Sequence, residues 1–319
     1  MAEADIAEEE PGIELTDQSD DRDGDEDGAH EFNADLISYA IGSAFGRWDI
    51  RFATGEQPFL EPPDPFGPLA ACPPGMLMEE SGLPAKRAPH GYHLRIAADG
   101  ILAEDPGHQD DVVHRVREAL ALIYRERAEA AEQAACETLG VKELRDYVRK
   151  PGIGGFWMDH VARYSKSRRK APIYWLLQSA RKSYALWIYY HGLDRDTLNK
   201  ALVNYVEPKL RLENNRLQEL RGNRVQAGSR GSAARALDGK IEQQEEFISE
   251  LNDFQDKLRR AADLHLEPDL NDGVVLNIAP LWELVPWKEP KKYWEELLKG
   301  EYEWSSIAKQ LRAQGLVKG

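Results

Sequence analysis

Arg163, Lys166, Arg168, Arg169 and Lys170 fall within eight residues, interleaved with Tyr164, Ser165 and Ser167 and followed at once by Ala171, Pro172, Ile173, Tyr174 and Trp175. Cations at this density neutralise phosphates, the lysines as point charges and the arginines also as forks that fit a phosphate or a guanine edge. Set beside an aromatic strand, they form the footprint of a nucleic-acid-binding surface. These five residues are the candidates for phosphate contact. Arg181 and Lys182 lie in a short polar stretch between two runs rich in Trp, Tyr, Ile and Leu. They are expected at the tip of a hairpin and are candidates for insertion into a groove. The competing reading is a solvated basic face beside ordinary core aromatics.

No other constellation carries chemistry. Cys72 sits in a proline-rich stretch and Cys136 in a helical pattern, neither with a second cysteine or histidine at metal-ligand spacing. His90, His93, His108, His114, His160 and His191 are scattered and read as structural. Ser165 and Ser167 lack the G-x-S-x-G context of a hydrolase nucleophile. Asp110 with Asp111, and Asp269 with Asp272, fit a helix cap and a turn, where carboxylates serve local needs. Glu207-Pro208-Lys209 only faintly resembles a nuclease motif. No catalytic residue, cofactor-binding residue or metal ligand is assigned.

A chain of 319 residues with formal net charge -15 looks at first like a poor partner for a polyanion. The charge is segregated, however. Residues 1–31 hold fourteen Asp or Glu against the single Arg22. Residues 145–230 hold eighteen Lys or Arg against seven Asp or Glu, a field able to steer DNA whatever the total charge. The acidic head is too poor in aromatic and large aliphatic residues to bury a core and is expected to be a disordered, solubilising tail. No apolar stretch approaches the eighteen or so residues that span a bilayer, and no signal-peptide pattern opens the chain, so a cytoplasmic location is expected, without a membrane partner.

The elements that must position the basic run follow from periodicity. Residues 34–50 carry apolar positions at three- and four-residue steps with Gly42 and Gly46 allowing close packing, as in a docked helix. Prolines dominate residues 54–89, which excludes helix interiors and central strands and implies a long wrapping loop. A short extended piece over 92–102 precedes one long helix over 110–139, then a short helix over 141–149 and another over 157–164. Residues 173–178 and 183–190 read as a β-hairpin, one face packed inward and the other available for contact. Residues 196–264 give two apolar stripes separated by Gly228-Ser229-Arg230-Gly231-Ser232, an antiparallel helical hairpin with coiled-coil-like spacing, read first as a spacer arm, otherwise as a dimer contact or a clamp along DNA through Arg211, Arg216, Arg221 and Arg224. The last block, rich in Trp and Pro, is expected to be helical over 293–298 and 305–314 and to fold back onto the hairpin base. The fold class is α+β, predominantly helical. The expected organisation is an acidic tail (1–31), a recognition-like α+β region (32–195), a helical hairpin (196–264) and a Trp-rich C-terminal segment (265–319).

Four segments carry a resemblance: LISYAIGSAFGRWDIRFATG (36–55), YSKSRRKAPIYWLLQS (164–179), LWIYYHGLDRDTLNKALVNYVEPKL (186–210) and LNDGVVLNIAPLWELVPWKEPKKYW (270–294). They resemble the carboxy-terminal, target-recognition half of PglX-type adenine-specific DNA methyltransferases of BREX phage-defence systems and of related restriction-modification loci. The resemblance implies an amino-terminal catalytic part that binds S-adenosylmethionine and holds a flipped adenine with an Asn-Pro-Pro-Tyr motif. This chain lacks that tetrad, and its nearest string, Pro62-Pro63-Asp64-Pro65-Phe66, has the groups in the wrong order. The motif needs an amide or carboxylate before a rigid Pro-Pro turn and a stacking ring after it.

The expected function is therefore the DNA-recognition portion of an adenine-specific (N6) methyltransferase, not catalytic by itself. The cofactor is expected only in a catalytic partner or a separate amino-terminal domain. Expected partners are double-stranded DNA and a methyltransferase catalytic subunit or other defence-system proteins. The alternative is a non-catalytic protein-interaction scaffold from the same kind of locus.

Overall fold

A computed structural model describes residues 20–58, 64, 66–67, 72–85, 87–166, 169–228 and 231–317; for residues 20–27 and for Lys166 and Arg169 only the backbone is described. The expected class holds: long helices surround a small antiparallel sheet. The acidic head lies mostly in residues 1–19, outside the described residues, and helix α1 (Asp20–Ala44) begins within it.

Helix α1 buries Ala34, Ile37, Ala40, Ile41 and Ala44, the stripe a 3.6-residue period places on one face. It stops earlier than its periodicity predicts because Gly46 adopts φ 76°. Gly46 N donates to Ser43 O (2.9 Å) and Arg47 N to Gly42 O (2.8 Å), a Schellman close that satisfies two orphan carbonyls. A short α2 (Ile50–Thr54) follows, capped by Asp49. The described residues of the proline-rich stretch contain no helix and no strand beyond isolated bridges, as expected of a wrapping loop.

The sheet has the order β1 (Ile101–Ala103), β5 (Ala185–Tyr189), β4 (Tyr174–Gln178), all antiparallel, with Tyr174 opposite Tyr189 and Ile101 opposite Ile188. The predicted β-hairpin is thus present, but its expected exposed face is not. One face packs on the helical layer through Phe45, Phe156 and Trp157, which meet Tyr174, Tyr189 and Trp187. On the other face Trp175 stacks on Tyr190, while Tyr184, beyond the strand end, meets Phe254 edge-on. Unbroken apolar strands such as YWLLQ and ALWIY signal burial on both faces, where alternation would have left one wet.

The single helix predicted over 110–139 is two, α3 (Val112–Tyr124) and α4 (Ala128–Thr138), folded against each other across a turn in which Arg125 has φ 54°. The apolar stripe of α3 ends at Tyr124, and the following Arg125-Glu126-Arg127 gives no apolar face to continue it. Short helices α5 (Leu144–Arg149) and α6 (Phe156–Arg163) complete this layer.

The helical hairpin is formed by α7 (Thr197–Lys200), which runs through a π-helical segment (Ala201–Val206) into α8 (Glu207–Gln226), and by the returning α9 (Ser232–Ala262). The antiparallel pairing is fixed by Arg221 with Glu245 (2.7 Å), Arg224 with Asp238 (2.5 Å) and Gln244 with Glu213 (2.8 Å). Helices α10 (Val274–Ile278), α11 (Glu289–Leu298) and α12 (Ser306–Ala313) follow, the last two close to their predicted spans. Leu281, Leu284, Val285 and Trp287 join the main core, while Leu297, Ile307, Ala308 and Leu311 form a second small cluster. Of the tryptophans in this segment Trp287 is buried, whereas Trp304 remains 60% exposed.

Candidate nucleic-acid interface

The basic run leaves the end of α6 as a two-stranded ribbon, β2 (Ser165–Lys166) against β3 (Arg169–Lys170), with Ser165 opposite Lys170 and Lys166 opposite Arg169. Ala171 N donates to Tyr164 O (3.1 Å) and the Ser165 hydroxyl to Val161 O, so the base of the ribbon is pinned to α6. Arg168, a predicted contact, lies outside the described residues, as do the side chains of Lys166 and Arg169. The flanking cations are engaged: Arg163 pairs with Asp35 on α1, and Lys170 with Glu289 on α11 (3.4 Å). Both pairs are exposed enough that water and salt screen them, so a phosphate can compete for either cation.

Arg181 and Lys182 occupy the hairpin tip, as predicted, but the tip does not project freely. Arg181 N and Ser183 N both donate to Glu250 Oε1 (2.7 and 3.3 Å), and the Arg181 guanidinium pairs with Glu246, so the tip rests on α9. Lys182 takes φ 65° with its N–H on Ser179 O (2.9 Å), and its side chain is exposed. Of the two, Lys182 is the one presented to solvent without an ion pair among the described residues.

Much of the remaining positive surplus is consumed inside the fold. The Glu104 side chain, fully buried, meets Arg145 (3.4 Å) and Arg149; Arg145 also forks onto Asp111 (2.8 and 3.0 Å). Asp111 in turn caps α3 through His114 N (3.0 Å). Lys209 bridges Asp105 and Glu213 (2.9 Å each), and Glu213 also receives Arg216 (2.7 Å) and Gln244 (2.8 Å). Burial would raise the Glu213 carboxyl, but hydrogen bonds from Gln244 and Lys209 and the Lys209 charge hold it below its ordinary value. This network welds the sheet edge to α3, α5 and α8. Arg145 and Lys209, mostly buried, are therefore structural cations, while Arg149 and Arg216 join the network from its exposed side.

Behind the ribbon lies a group the sequence reading did not single out. Arg47, at the exit of α1, is only 8% exposed, its guanidinium carbon 4.6 Å from the Trp48 ring centroid and 5.4 Å from that of Tyr164. Its Nε and Nη1 are buried without a hydrogen-bond partner, and no carboxylate among the described residues pairs with it. Gly42 makes room: a Cβ there would fall 2.4 Å from Trp48 Cδ1 and 2.6 Å from Tyr174 Oη. His160 completes the cluster, stacked on Tyr174 (4.6 Å) and tilted on Tyr164 (4.8 Å). Its Nε2 accepts from Ile173 N and Tyr174 N (2.9 Å each), which requires the neutral ring. Burial, helped by the Arg47 charge, lowers its pKa to about 3. The structural reading of the lone His160 is thus correct. Burial also pushes the Tyr174 phenol far upward, against the opposing pull of Arg47.

Among the described residues no cluster of His, Cys, Asp and Glu could hold a metal ion, Cys72 and Cys136 are buried and unpaired, and burial raises the Cys136 thiol. The named strands among the described residues pair only antiparallel. No helix among the described residues is long and apolar enough to cross a membrane.

No protein-family model matches the chain. Over 267 residues, 79% of its length, it is 27% identical to the adenine-specific methyltransferase BrxX of Escherichia coli O9:H4 (strain HS). Over 258 residues, 76% of its length, it is 25% identical to the adenine-specific methyltransferase PglX of Lacticaseibacillus casei (strain Zhang). The chain spans only about a fifth of the length of these curated relatives. It is a distant homologue of part of the BrxX and PglX adenine-specific methyltransferases.

Proposed function

We propose that this chain is a DNA-contacting, non-catalytic portion of an adenine-specific DNA methyltransferase of BREX type, serving target recognition while a separate catalytic part supplies S-adenosylmethionine and methyl transfer. The observation that carries the reading is the ribbon β2–β3, a short paired strand element anchored on α6, four of whose six residues from Ser165 to Lys170 are basic. Ribbons of this kind enter grooves or track phosphates. Further support comes from the match to a fifth of much longer methyltransferases and from the missing Asn-Pro-Pro-Tyr tetrad. Lys166, Arg168, Arg169 and Lys170 are assigned to phosphate contact, with Arg163 and Lys182 at the margins. Arg181 contributes only if it exchanges Glu246 for a phosphate.

The test is duplex affinity as a function of salt for the wild type and for the combined Arg168→Ala, Arg169→Ala and Lys170→Ala variant. Each lost phosphate contact lowers the slope of log affinity against log salt by about 0.9. An unchanged slope removes these three from the interface.

A second reading, a protein-interaction scaffold, is favoured by two observations. Arg163, Lys170 and Arg181 already have acidic partners, and Trp304 is left exposed on the C-terminal segment. It predicts no duplex binding even at low salt.

A further inference from the structure

Arg47 presents a physical problem that the fold leaves unsolved. A buried guanidinium is normally offset by a carboxylate or by a full set of acceptors, because losing its hydration is costly. The other deeply buried cations here obey that rule: Arg115 contacts Glu118, Asp110 and the Gln109 carbonyl, and Lys209 contacts Asp105 and Glu213. Arg47 has two ring faces and two nitrogens with no acceptor. Ring faces offset part of the charge but accept no N–H in the guanidinium plane.

The surroundings say what is missing. Trp48 and Tyr164, the two rings on the guanidinium, are both only partly buried, so the rings that cover Arg47 reach solvent. Tyr164 is also the residue from which the basic ribbon springs, and it pairs with Ala171 where the ribbon returns. The Tyr174 hydroxyl is buried beside the Arg47 side chain, and the Ser43 hydroxyl is buried beside Tyr39. His160 Nδ1, which carries the proton when Nε2 accepts two amides, is another donor without an acceptor. The cluster therefore holds one buried cation with two nitrogens and the His160 Nδ1 unmatched, and no carboxylate among the described residues pairs with it.

We propose that Arg47 is the core of an oxyanion site that takes a phosphate group, its planar fork supplying the charge-assisted hydrogen bonds while Trp48 and Tyr164 sandwich the guanidinium. Resting on the DNA reading above, the natural source of that phosphate is a backbone phosphodiester drawn in beneath the ribbon; free inorganic phosphate shares the chemistry. Arginine is required here because a fork held between rings is pre-organised for an oxyanion, whereas an ammonium is not.

The experiment compares the full chain with its Arg47→Lys and Arg47→Met variants. Tm is recorded with inorganic phosphate against chloride at matched ionic strength, and affinity is measured for a mixed-sequence duplex. The expected result is a phosphate-dependent rise in Tm for the wild type, absent in Arg47→Met and diminished in Arg47→Lys, with duplex affinity falling about 10- to 100-fold in Arg47→Met. Phosphate that shifts wild type and Arg47→Met equally, or not at all, overturns the site. If Arg47→Met does not fold, the arginine Nε–H resonances of the wild type decide: a buried Nε–H signal that moves with phosphate supports the site, and one that stays fixed overturns it. A phosphate response that depends on Arg47 without any duplex binding leaves the oxyanion site standing and defeats the DNA reading. Duplex bound equally well by the wild type and a folded Arg47→Met variant overturns the phosphodiester as the source, and if the phosphate response is also independent of Arg47 it overturns the site while the DNA reading stands.

Discussion

Glu250 on α9 holds Arg181 at the tip of the β4–β5 hairpin by its backbone: one carboxylate oxygen accepts the Arg181 N–H at 2.7 Å and the Ser183 N–H at 3.3 Å. The hairpin that seemed built to project is a docked element, and its position depends on this carboxylate. Glu250→Ala leaves two amide donors without a partner and is expected to destabilise the chain by about 1–3 kcal/mol. Glu250→Gln keeps an acceptor and should cost less. Urea unfolding of the two variants checks the order, and equal midpoints would show that the tip is not held from α9.

Stability should depend on pH through His160. Its pKa is near 6.5 when unfolded and about 3 in the fold. A depressed folded value means that the contribution is complete above pH 6.5 and is lost as pH falls toward 3, at about 1.4 kcal/mol per pH unit for one proton. Glu213 and Glu250, held below their ordinary values by hydrogen bonds despite burial, add their own losses only in the carboxylate range. Urea midpoints between pH 6.5 and 5 therefore report the histidines, His160 together with His191, whose pKa burial also lowers, and the His160 variant separates the two. His160→Gln, which keeps an acceptor but cannot titrate, should flatten that slope.

Gly42→Ala reverses the usual helix rule. In an exposed helix interior the change stabilises by about 1 kcal/mol. Here the new Cβ would lie 2.4 Å from Trp48 Cδ1, so a net loss of about 1–3 kcal/mol is expected from overpacking. A rise in Tm would mean that Trp48 swings out at no cost.

Glu104→Gln tests the weld between the sheet edge and α5. Removing the buried charge while Arg145 and Arg149 remain should cost about 3–5 kcal/mol, as when one partner of a buried ion pair is lost. Arg149→Gln, whose side chain is 42% exposed, should cost much less. Thermal unfolding of both variants checks the contrast.

The strong local patterns were legible. The hairpin, the two long antiparallel helices, and α11 and α12 follow from apolar periodicity and from turn residues between the runs. What stayed hidden depends on residues far apart in the chain. Burial of both sheet faces needs Phe45 and Phe156 on one side and Phe254 near the other, and no window of sequence contains them together. The basic surplus read as free because its partners are remote: Asp35 for Arg163, Glu289 for Lys170 and Glu246 for Arg181. Arg47 was passed over because its rings come from residues 48 and 164, and only the fold brings them together. The signal that could have found it is Gly42-Ser43-Ala44-Phe45-Gly46-Arg47, where a glycine-closed helix end places an arginine inward beside Trp48.

The central claim is that this chain contacts DNA, and its most direct test is fluorescence anisotropy of the full chain against a mixed-sequence duplex at low and at moderate salt. The account predicts binding at low salt that weakens steeply as salt rises, with a slope set by the ribbon cations. Absence of binding at low salt, with the chain folded, would contradict it and leave the scaffold reading.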